Sequence, residues 1–304
     1  MPDHLKLVHS PRASEELIAR AQVFVEEWLL RALPTRDTPP SRLHGAMHDA
    51  VFPGGRRARP LLCRLVADRY GNGDDELVGR LAAAIELVHC ASLVQDDLPQ
   101  FDDAATRRGR PACHIVYGQA TAILVGDALL TLAFETLANA PARRAATAFR
   151  LMGALTSATG SSHGVIGGQA LELEPHPVEL EIYHRHKTAA LFRAAAAGAA
   201  ICCGVEADVS RWARVGELIG VALQLRDDID DVGASADLLG KPVGRDALLG
   251  RPNAALQVGV DGCQAKRHEI IDAVRELLGP PTPENEALHH LVEEVTRPAA
   301  RGVG

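Results

Sequence analysis

The sequence predicts an all-α fold, a single large multi-helix bundle around a central cavity, with residues 1–304 as one domain. Apolar residues recur at spacings of three and four, which is the period of a helix rather than the alternation of a strand. No Asn-Gly pair separates two alternating runs, as it would in a hairpin. The run 194–205 is apolar on every side and therefore requires complete burial, which a bundle provides.

Clusters of glycine, proline and aspartate divide the chain into about ten helices. Breaks are predicted at 33–41, 52–55, 71–75, 98–103, 164–168, 232–246 and 279–283. The longest predicted helices cover 76–98, 115–138 and 206–232. No repeat of solenoid length is present, but two aspartate clusters, 96–103 and 227–231, each end one of these long helices.

Composition and charge argue against several classes of protein. A net charge of -7 argues against a nucleic-acid partner or an anionic membrane surface, since both require a broad basic face. The six cysteines form no CxxC pair, which indicates a reducing compartment. The N-terminal residues lack the apolar core of a signal peptide, and no uncharged apolar run reaches the roughly 18 residues of a membrane span. We therefore expect a cytoplasmic protein.

The two aspartate clusters place carboxylates at the ends of helices that are predicted to be buried. Asp227 and Asp231 are four residues apart and share one helix face. Pro99 is expected to end the first helix near Leu98, so that Asp102 and Asp103 return from a loop. Taken alone, either cluster could be a solvated helix end. At the ends of core helices, however, carboxylates must be protonated or neutralised by cations.

Magnesium suits these clusters better than calcium. A calcium loop that starts at Asp228 would have Leu239 where the bidentate glutamate belongs. Magnesium usually takes one or two carboxylates and completes its octahedron with water and phosphate oxygens. The clusters therefore predict magnesium sites that face a phosphate-bearing substrate.

Two arginine-rich segments could bind the phosphates of that substrate. "GGRRARP" (54–60) and "TRRGRP" (106–111) each place three arginines beside glycine and before proline. Guanidinium groups bind phosphate in a bidentate manner. Either segment alone could equally be a solvated loop, and no GxxxxGK[ST] phosphate-binding loop occurs.

Other polar residues are weaker candidates for phosphate binding. Lys187, Thr188 and Lys241 supply donors in otherwise apolar or glycine-rich surroundings. His89 lies two helical turns before Asp96 and can point to the same cavity, although a packed core histidine explains its position equally well.

The order and spacing of these motifs resemble those of the trans-polyprenyl diphosphate synthases, from about residue 15 to residue 300. The segments that carry the resemblance are "GGRRARP", "ELVHCASLVQDDLPQFDDAATRRGRP", "GDALL", "GGQALEL", "HKTAALF" and "LQLRDDIDDVGASADLLGKPVGRD". The resemblance implies an all-helical homodimer that joins isopentenyl diphosphate to an allylic diphosphate. In that family the allylic C–O bond ionises, the cation joins the isopentenyl double bond, and a proton is lost to the departing diphosphate.

The resemblance also implies roles for individual residues. Three Mg²⁺ ions that grip the allylic diphosphate would be bound by Asp96, Asp102, Asp227 and Asp231. The phosphates of this substrate would contact Arg107, Lys187, Thr188, Gln224 and Lys241. Isopentenyl diphosphate would contact Arg56, Arg59, His89 and Arg108. The groups that act directly in catalysis would be Asp96, Asp102, Asp227, Arg107, Lys187 and Lys241.

The chain departs from the usual pattern of the family at two basic positions. Arg56 stands where the family usually has the lysine of "GGK", and Arg251 stands where a second lysine usually follows the last aspartate cluster. Both changes keep the charge but alter the geometry of the donors.

Product length is predicted from Ala91 and Ser92, which precede Asp96 by about one helical turn. Many fifteen-carbon synthases of the family carry a bulky aromatic at the position of Ala91. One turn rises about 5.4 Å, close to one isoprene unit, so a small residue there predicts geranylgeranyl diphosphate. Farnesyl diphosphate or a longer product is the alternative.

Two other functions share parts of this pattern. A class I terpene cyclase also has an aspartate-rich metal site, but it needs no second diphosphate pocket, and "GGRRARP", His89 and Arg108 predict such a pocket. A non-catalytic partner subunit of the same fold would be expected to have lost one aspartate cluster, whereas this chain has both.

Overall fold

The computed structural model describes residues 11–52, 54–71, 73–175, 178–233 and 251–298. Helices dominate these residues, which confirms the all-α prediction. In chain order they are α1 (Pro11–Ala32), α2 (Ser41–Val51), α3 (Ala58–Tyr70), α4 (Asp75–Asp96), α5 (Cys113–Tyr117), α6 (Gln119–Ala138), α7 (Ala145–Thr159), α8 (Val165–Leu171), α9 (Leu180–His184), α10 (Ala190–Cys202), α11 (Val209–Gly233), α12 (Ala254–Leu278) and α13 (Glu286–Thr296). A π-helical turn (Arg185–Ala189) joins α9 to α10, and 3₁₀ turns cover Ala142–Arg144 and Glu206–Asp208.

The core is built around α4 and α10. Helix α10 is buried along almost its whole length and packs against α3, α4, α7 and α11, as its all-apolar sequence predicts. One hydrophobic cluster extends from Ile18 in α1 to Val295 in α13. This continuity supports the interpretation of the chain as one domain, which stays a prediction.

Two glycines on α11 bring this helix close to α10 and to the π-helical turn. A Cβ atom on Gly216 would lie 2.2 Å from the carbonyl oxygen of Phe192, and one on Gly220 would lie 2.4 Å from the Cα atom of Ala189. Only glycine permits these approaches. They seat α11, whose C-terminal half carries Gln224 and Asp227, against α10 and the turn.

The predicted break at 164–168 is wrong, because Val165–Leu171 forms α8 and the chain breaks before it. The glycines in this segment serve close packing rather than chain termination. A Cβ atom on Gly168 would lie 2.3 Å from the backbone nitrogen of Lys187, so glycine allows α8 to lie directly on the π-helical turn.

A two-residue hairpin follows the first aspartate cluster and was not predicted. Strand β1 (Thr106–Arg107) pairs antiparallel with β2 (Arg110–Pro111). The two residues between the strands, Arg108 and Gly109, have φ values of 54° and 73°. Positive φ at both central positions is what a tight type I′ hairpin turn requires. Strands of two residues are too short to show any alternation in sequence.

Two helices, α4 and α6, are long and apolar enough to cross a membrane by length and composition alone. The most apolar part of α4 is 78% buried inside the protein, whereas that of α6 is 39% buried. Core helices pass the same test, so the expectation of no membrane span and of a cytoplasmic location is retained as a prediction.

Candidate active site between the ends of α4 and α11

A cavity of about 210 Å³ lies where α4, α8, the π-helical turn and α11 meet. Its walls are mainly polar and contain most of the residues that the sequence nominated. These are Arg59, His89, Ser92, Asp96, Asp102, Arg107, Lys187, Thr188, Gln224, Asp227 and Asp231. Both aspartate clusters therefore face one space.

The loop after α4 folds back onto the helix and places Asp102 beside Asp96. Helix α4 ends at Asp96, two residues before the end that Pro99 predicts. The backbone nitrogen of Asp102 donates to the carbonyl oxygen of Asp96 at 2.8 Å. Asp103 has a φ of 46°, a left-handed conformation that turns the chain back. The loop thus brings two carboxylates to one helix end.

Asp96 and Asp97 are adjacent in sequence but have different surroundings. Asp97 is buried and accepts a hydrogen bond from Nε of Arg107 at 2.9 Å. Asp96 faces the cavity, and its buried Oδ1 atom has no hydrogen-bond partner. Asp97 therefore orients Arg107, while Asp96 offers a free carboxylate oxygen.

Burial raises the pKa of Asp96 to about 6. Lys187 and Arg107 oppose this rise, while the negative charges of Glu172 and Asp102 add to it. A buried carboxylate oxygen without a partner is costly, and a hard cation would remove that cost. The site therefore fits an oxygen-liganded metal ion.

Among the residues that the structure describes, no three His, Cys, Asp or Glu side chains are grouped closely enough to hold one ion. This arrangement would be unusual for a structural zinc site, which takes four protein ligands. It suits Mg²⁺, which commonly binds one or two carboxylates and takes its remaining ligands from water and phosphate.

The second cluster divides its aspartates in a similar way. Asp227 and Asp231 line the cavity. Asp228 is buried on another side of α11, where it accepts from the backbone nitrogen of Ala254 at 2.8 Å and from Nε2 of Gln224 at 3.0 Å. Its Oδ2 atom also lies 3.1 Å from Nε2 of His184. Asp228 therefore anchors α11 and orients Gln224.

The π-helical turn presents two side chains to the cavity. Thr188 Oγ1 donates to Oε1 of Gln224, and Nζ of Lys187 donates to the buried carboxylate of Glu172. Burial disfavours the charge on Lys187, but nearby groups, including Asp96 and Glu172, outweigh burial and raise its pKa. Lys187 is therefore a fixed cation at neutral pH. Such π-helical turns occur frequently at functional sites.

A third group of residues forms an electropositive corner beside α3. Arg59 is stacked over the ring of Phe192, with its guanidinium carbon 4.7 Å from the ring centroid, and its Nε atom is buried without a partner. Burial lowers the pKa of His89 well below its ordinary value, and the charges of Arg59 and Arg108 add to this effect. His89 is therefore neutral at pH 7.

Arg56 and Arg108 do not line this cavity. Arg56 is exposed, and its Nη1 atom donates to the carbonyl oxygen of Glu294 at 3.3 Å. Arg108 lines a neighbouring cavity of about 370 Å³ and lies beside Gly55, where a Cβ atom would be 2.8 Å from its Nη2 atom. Its electrostatic effect on His89 nevertheless places it near the electropositive corner.

The two residues proposed for product length have different environments. Ser92 lines the cavity, whereas Ala91 is fully buried in the core. Gln95, one turn beyond Ala91, lies against Gly126 of α6, so this face of α4 packs on α6. Lys241 lies outside the described residues.

Sequence reasoning missed three residues at this site. Gln169 and Tyr183 line the cavity, and Glu172 accepts hydrogen bonds from both of them and from Lys187. Gln169 and Glu172 lie in the "GGQALEL" segment, which the resemblance included without a role for either residue. An isolated glutamate or tyrosine carries no spacing signal, so only the fold could reveal their proximity.

Asp96→Asn is expected to raise the Tm of the metal-free protein at about pH 8 by a few degrees. The pKa of Asp96 is about 6 when folded and 3.8 in its ordinary state, so stability falls as pH rises between these values. Above this pH range, ionised Asp96 lowers the free energy of unfolding by at most about 3 kcal/mol, and asparagine removes this loss because it carries no charge. Calorimetry with a chelator present would measure the effect. The two proteins should melt together below about pH 4, and equal Tm values at both pH values would contradict the expectation.

Residues 40–295 match the polyprenyl synthetase family. The geranylgeranyl diphosphate synthase of Cereibacter sphaeroides is 45% identical over 76% of this chain and 80% of its own length. The farnesyl diphosphate synthase of Escherichia coli is 37% identical over 88% of this chain and 91% of its own.

Solved structures give the same result. The geranyltransferase of Helicobacter pylori, determined with magnesium and isoprenyl diphosphate, has a TM-score of 0.77 and 29% identity over 95% of this chain and 98% of its own. The sequence match, the helical fold and the two facing aspartate clusters agree. The chain belongs to the polyprenyl synthetase family.

Proposed function

We propose that the protein is a magnesium-dependent prenyltransferase that condenses isopentenyl diphosphate with allylic diphosphates, with geranylgeranyl diphosphate as its product. The observation that carries the proposal is one cavity in which two aspartate-bearing helix ends face a set of fixed cations. Relatives named as geranylgeranyl and farnesyl diphosphate synthases support a short-chain product.

Magnesium would be held by the four aspartates that line the cavity, Asp96, Asp102, Asp227 and Asp231. Their hard oxygen atoms and the unpartnered Oδ1 atom of Asp96 support this assignment. Bound Mg²⁺ would supply positive charge to the diphosphate leaving group. The number of ions, expected to be three, remains a prediction.

The protein's own cations are proposed to hold the allylic diphosphate. Lys187 and Arg107 carry fixed positive charges into the cavity, and Thr188 and Gln224 add hydrogen-bonding groups. Charges already in place stabilise a leaving diphosphate more strongly than reorienting water does. The bond to the allylic carbon can therefore break without a protein nucleophile.

Apolar side chains are proposed to protect the allylic cation. Leu93, Ala104 and Val165 share the cavity wall with the polar groups. A site that excludes water limits hydrolysis of a reactive intermediate. The departing diphosphate would accept the proton that the condensed product loses.

The electropositive corner is proposed to bind isopentenyl diphosphate without metal. Arg59 has an unpartnered Nε donor, His89 is a neutral hydrogen-bonding group, and Arg108 lies nearby. The allylic diphosphate and isopentenyl diphosphate would thus each have their own set of protein ligands. It also favours a synthase over a terpene cyclase, which needs one diphosphate site.

Arg59→Ala is expected to raise the KM for isopentenyl diphosphate at least about tenfold and to change the allylic KM less than about twofold. Arg56→Ala is expected to have a smaller effect than Arg59→Ala, because water screens an exposed guanidinium. Initial rates with each substrate varied in turn measure both constants. A rise in the allylic KM instead would show that the two pockets are assigned in reverse.

The proposed reaction is tested by supplying isopentenyl diphosphate with five-, ten- or fifteen-carbon allylic diphosphates and Mg²⁺, then measuring the chain length of the products. Twenty-carbon product from each starter, and none with a chelator, is the expected result. Hydrocarbon or alcohol products without incorporation of isopentenyl units would identify a cyclase. Absence of turnover with any starter would indicate a non-catalytic subunit.

A homodimer is part of the same proposal. Apolar side chains on α5 and α6 are about half exposed, namely Ile115, Val116, Ile123 and Leu124. Contact with a second copy would cover this surface. Sedimentation equilibrium would show twice the chain mass, and a monomer at micromolar concentration would contradict it.

A further inference from the structure

One buried carboxylate connects four side chains at the edge of the cavity. Oε1 of Glu172 accepts from Nζ of Lys187 and from the hydroxyl of Tyr183. Oε2 accepts from Nε2 of Gln169 at 3.2 Å and lies 3.5 Å from Nε of Arg251. The side chain of Glu172 is only 2% exposed.

This carboxylate holds two cations that line the cavity. Lys187 comes from the π-helical turn, whereas Arg251 precedes α12, so no local backbone geometry fixes one relative to the other. Both side chains are largely buried, with 20% and 9% exposure. A buried cation without a nearby anion would be strongly destabilised.

The backbone supports Glu172 in this position. It directly follows α8, which lies against the π-helical turn because Gly168 permits a close approach to the backbone of Lys187. The close packing of α8 on the π-helical turn therefore holds the carboxylate beside Lys187, rather than a long, mobile loop.

We propose that Glu172 is a positioning residue that sets the spacing between Lys187 and Arg251, so that the two cations together grip the diphosphate of the allylic substrate. The inference rests on the proposed function, in which Lys187 binds that diphosphate. Glu172 itself does not touch the substrate.

Charge alone predicts the opposite result for a neutral variant. Removing a carboxylate from an anion-binding site lowers repulsion and should tighten binding of a diphosphate. A positioning role predicts weaker binding, because the two cations lose their shared acceptor and must be ordered when the ligand binds. Whether the neutral variant binds diphosphate more tightly or more weakly therefore distinguishes a charge effect from a positioning role.

The test measures the Kd of inorganic diphosphate with Mg²⁺ by titration calorimetry. Glu172→Gln is expected to weaken binding at least about tenfold. The matched control is Glu174→Gln, which makes the same charge change on an exposed side chain two residues away and should change the Kd less than about twofold. Unchanged or tighter binding by Glu172→Gln would overturn the inference.

A second variant keeps the charge and covers the case in which Glu172→Gln does not fold. Glu172→Asp withdraws the carboxylate by about one C–C bond, roughly 1.5 Å. It is expected to weaken binding about threefold, whereas charge alone predicts no change. Wild-type affinity in a folded Glu172→Asp protein would contradict positioning.

Steady-state kinetics provide a readout that a general structural defect would not give. The folded glutamine variant should raise the allylic KM about tenfold and leave the KM for isopentenyl diphosphate within about twofold, since Glu172 bonds to neither Arg59 nor His89. An equal rise in both constants would refute positioning. Diphosphate binding is read without turnover, so a protein that makes no prenyl product but shows the predicted binding loss would refute only the proposed function.

Discussion

Asp227→Ala is expected to lower kcat/KM at least about a hundredfold, a loss of about 3 kcal/mol in transition-state stabilisation. Asp227 lines the cavity on the opposite helix end from Asp96, so its removal takes away one of the proposed metal ligands. Initial rates with saturating Mg²⁺, together with a magnesium titration, measure the effect.

The variant is expected to fold. Arg226, which contacts Asp227, also bonds to the carbonyl oxygen of Val295 at 2.7 Å and lies 3.5 Å from Asp230. Asp261→Ala, a change at an exposed aspartate of α12, is the matched control and should keep full activity. Near wild-type turnover by a folded Asp227→Ala protein would rule out a metal site shared by the two clusters.

Ala91→Tyr is expected to change the main product from twenty to fifteen carbons while the first condensation keeps most of its rate. Ala91 lies five residues from Asp96 on the face of α4 that packs on α6. A growing chain that enters this face would meet the tyrosine ring after about one turn of 5.4 Å, the length of one isoprene unit. Chromatography of dephosphorylated products measures the distribution.

A second variant, Ser92→Tyr, together with a folding control, tests which path the growing prenyl chain takes. Ser92 lines the cavity, so a ring there blocks the space directly below the metal site and should shorten the product even further. Overpacking a core position typically costs 1–3 kcal/mol, so the Tm of each variant is measured as well. A folded Ala91→Tyr protein that still makes mainly twenty-carbon product would show that the chain does not pass Ala91.

The helical fold and most of the site could be predicted from sequence because their signals are periodic or repeated. Apolar spacing predicted α4 and α11, although the helix predicted over 115–138 divides at Gly118. Two aspartate clusters at helix ends indicated one cavity. Local turns were harder to predict from the sequence. The glycines at 164–168 look like a helix break, but Gly168 instead permits close contact between α8 and Lys187. A glycine in the sequence indicates a position where a side chain is not tolerated. It does not indicate whether the reason is a turn in the backbone or a closely packed neighbour.

Residue type and spacing alone could not assign roles within each cluster, and only the resemblance singled out Asp96 and Asp227 from their neighbours. Asp96 and Asp97 are adjacent and chemically identical, and only the fold shows that Arg107 occupies one of them. Asp227 and Asp228 differ in the same way, because Asp228 bonds to Ala254 and Gln224. These differences depend on residues that are distant along the chain.

The ion pairs around Arg251 have a consequence for turnover. Arg251 contacts Asp102 and lies 3.5 Å from Glu172. The protein therefore supplies its own anionic partners for this buried guanidinium. Departure of the second product, inorganic diphosphate, exchanges one set of ion pairs for another and leaves no bare charge in a dry cavity. We expect Asp102, the partner of Arg251 outside the Glu172 network, to take up this guanidinium as the diphosphate leaves, which speeds product release, a step that often limits turnover.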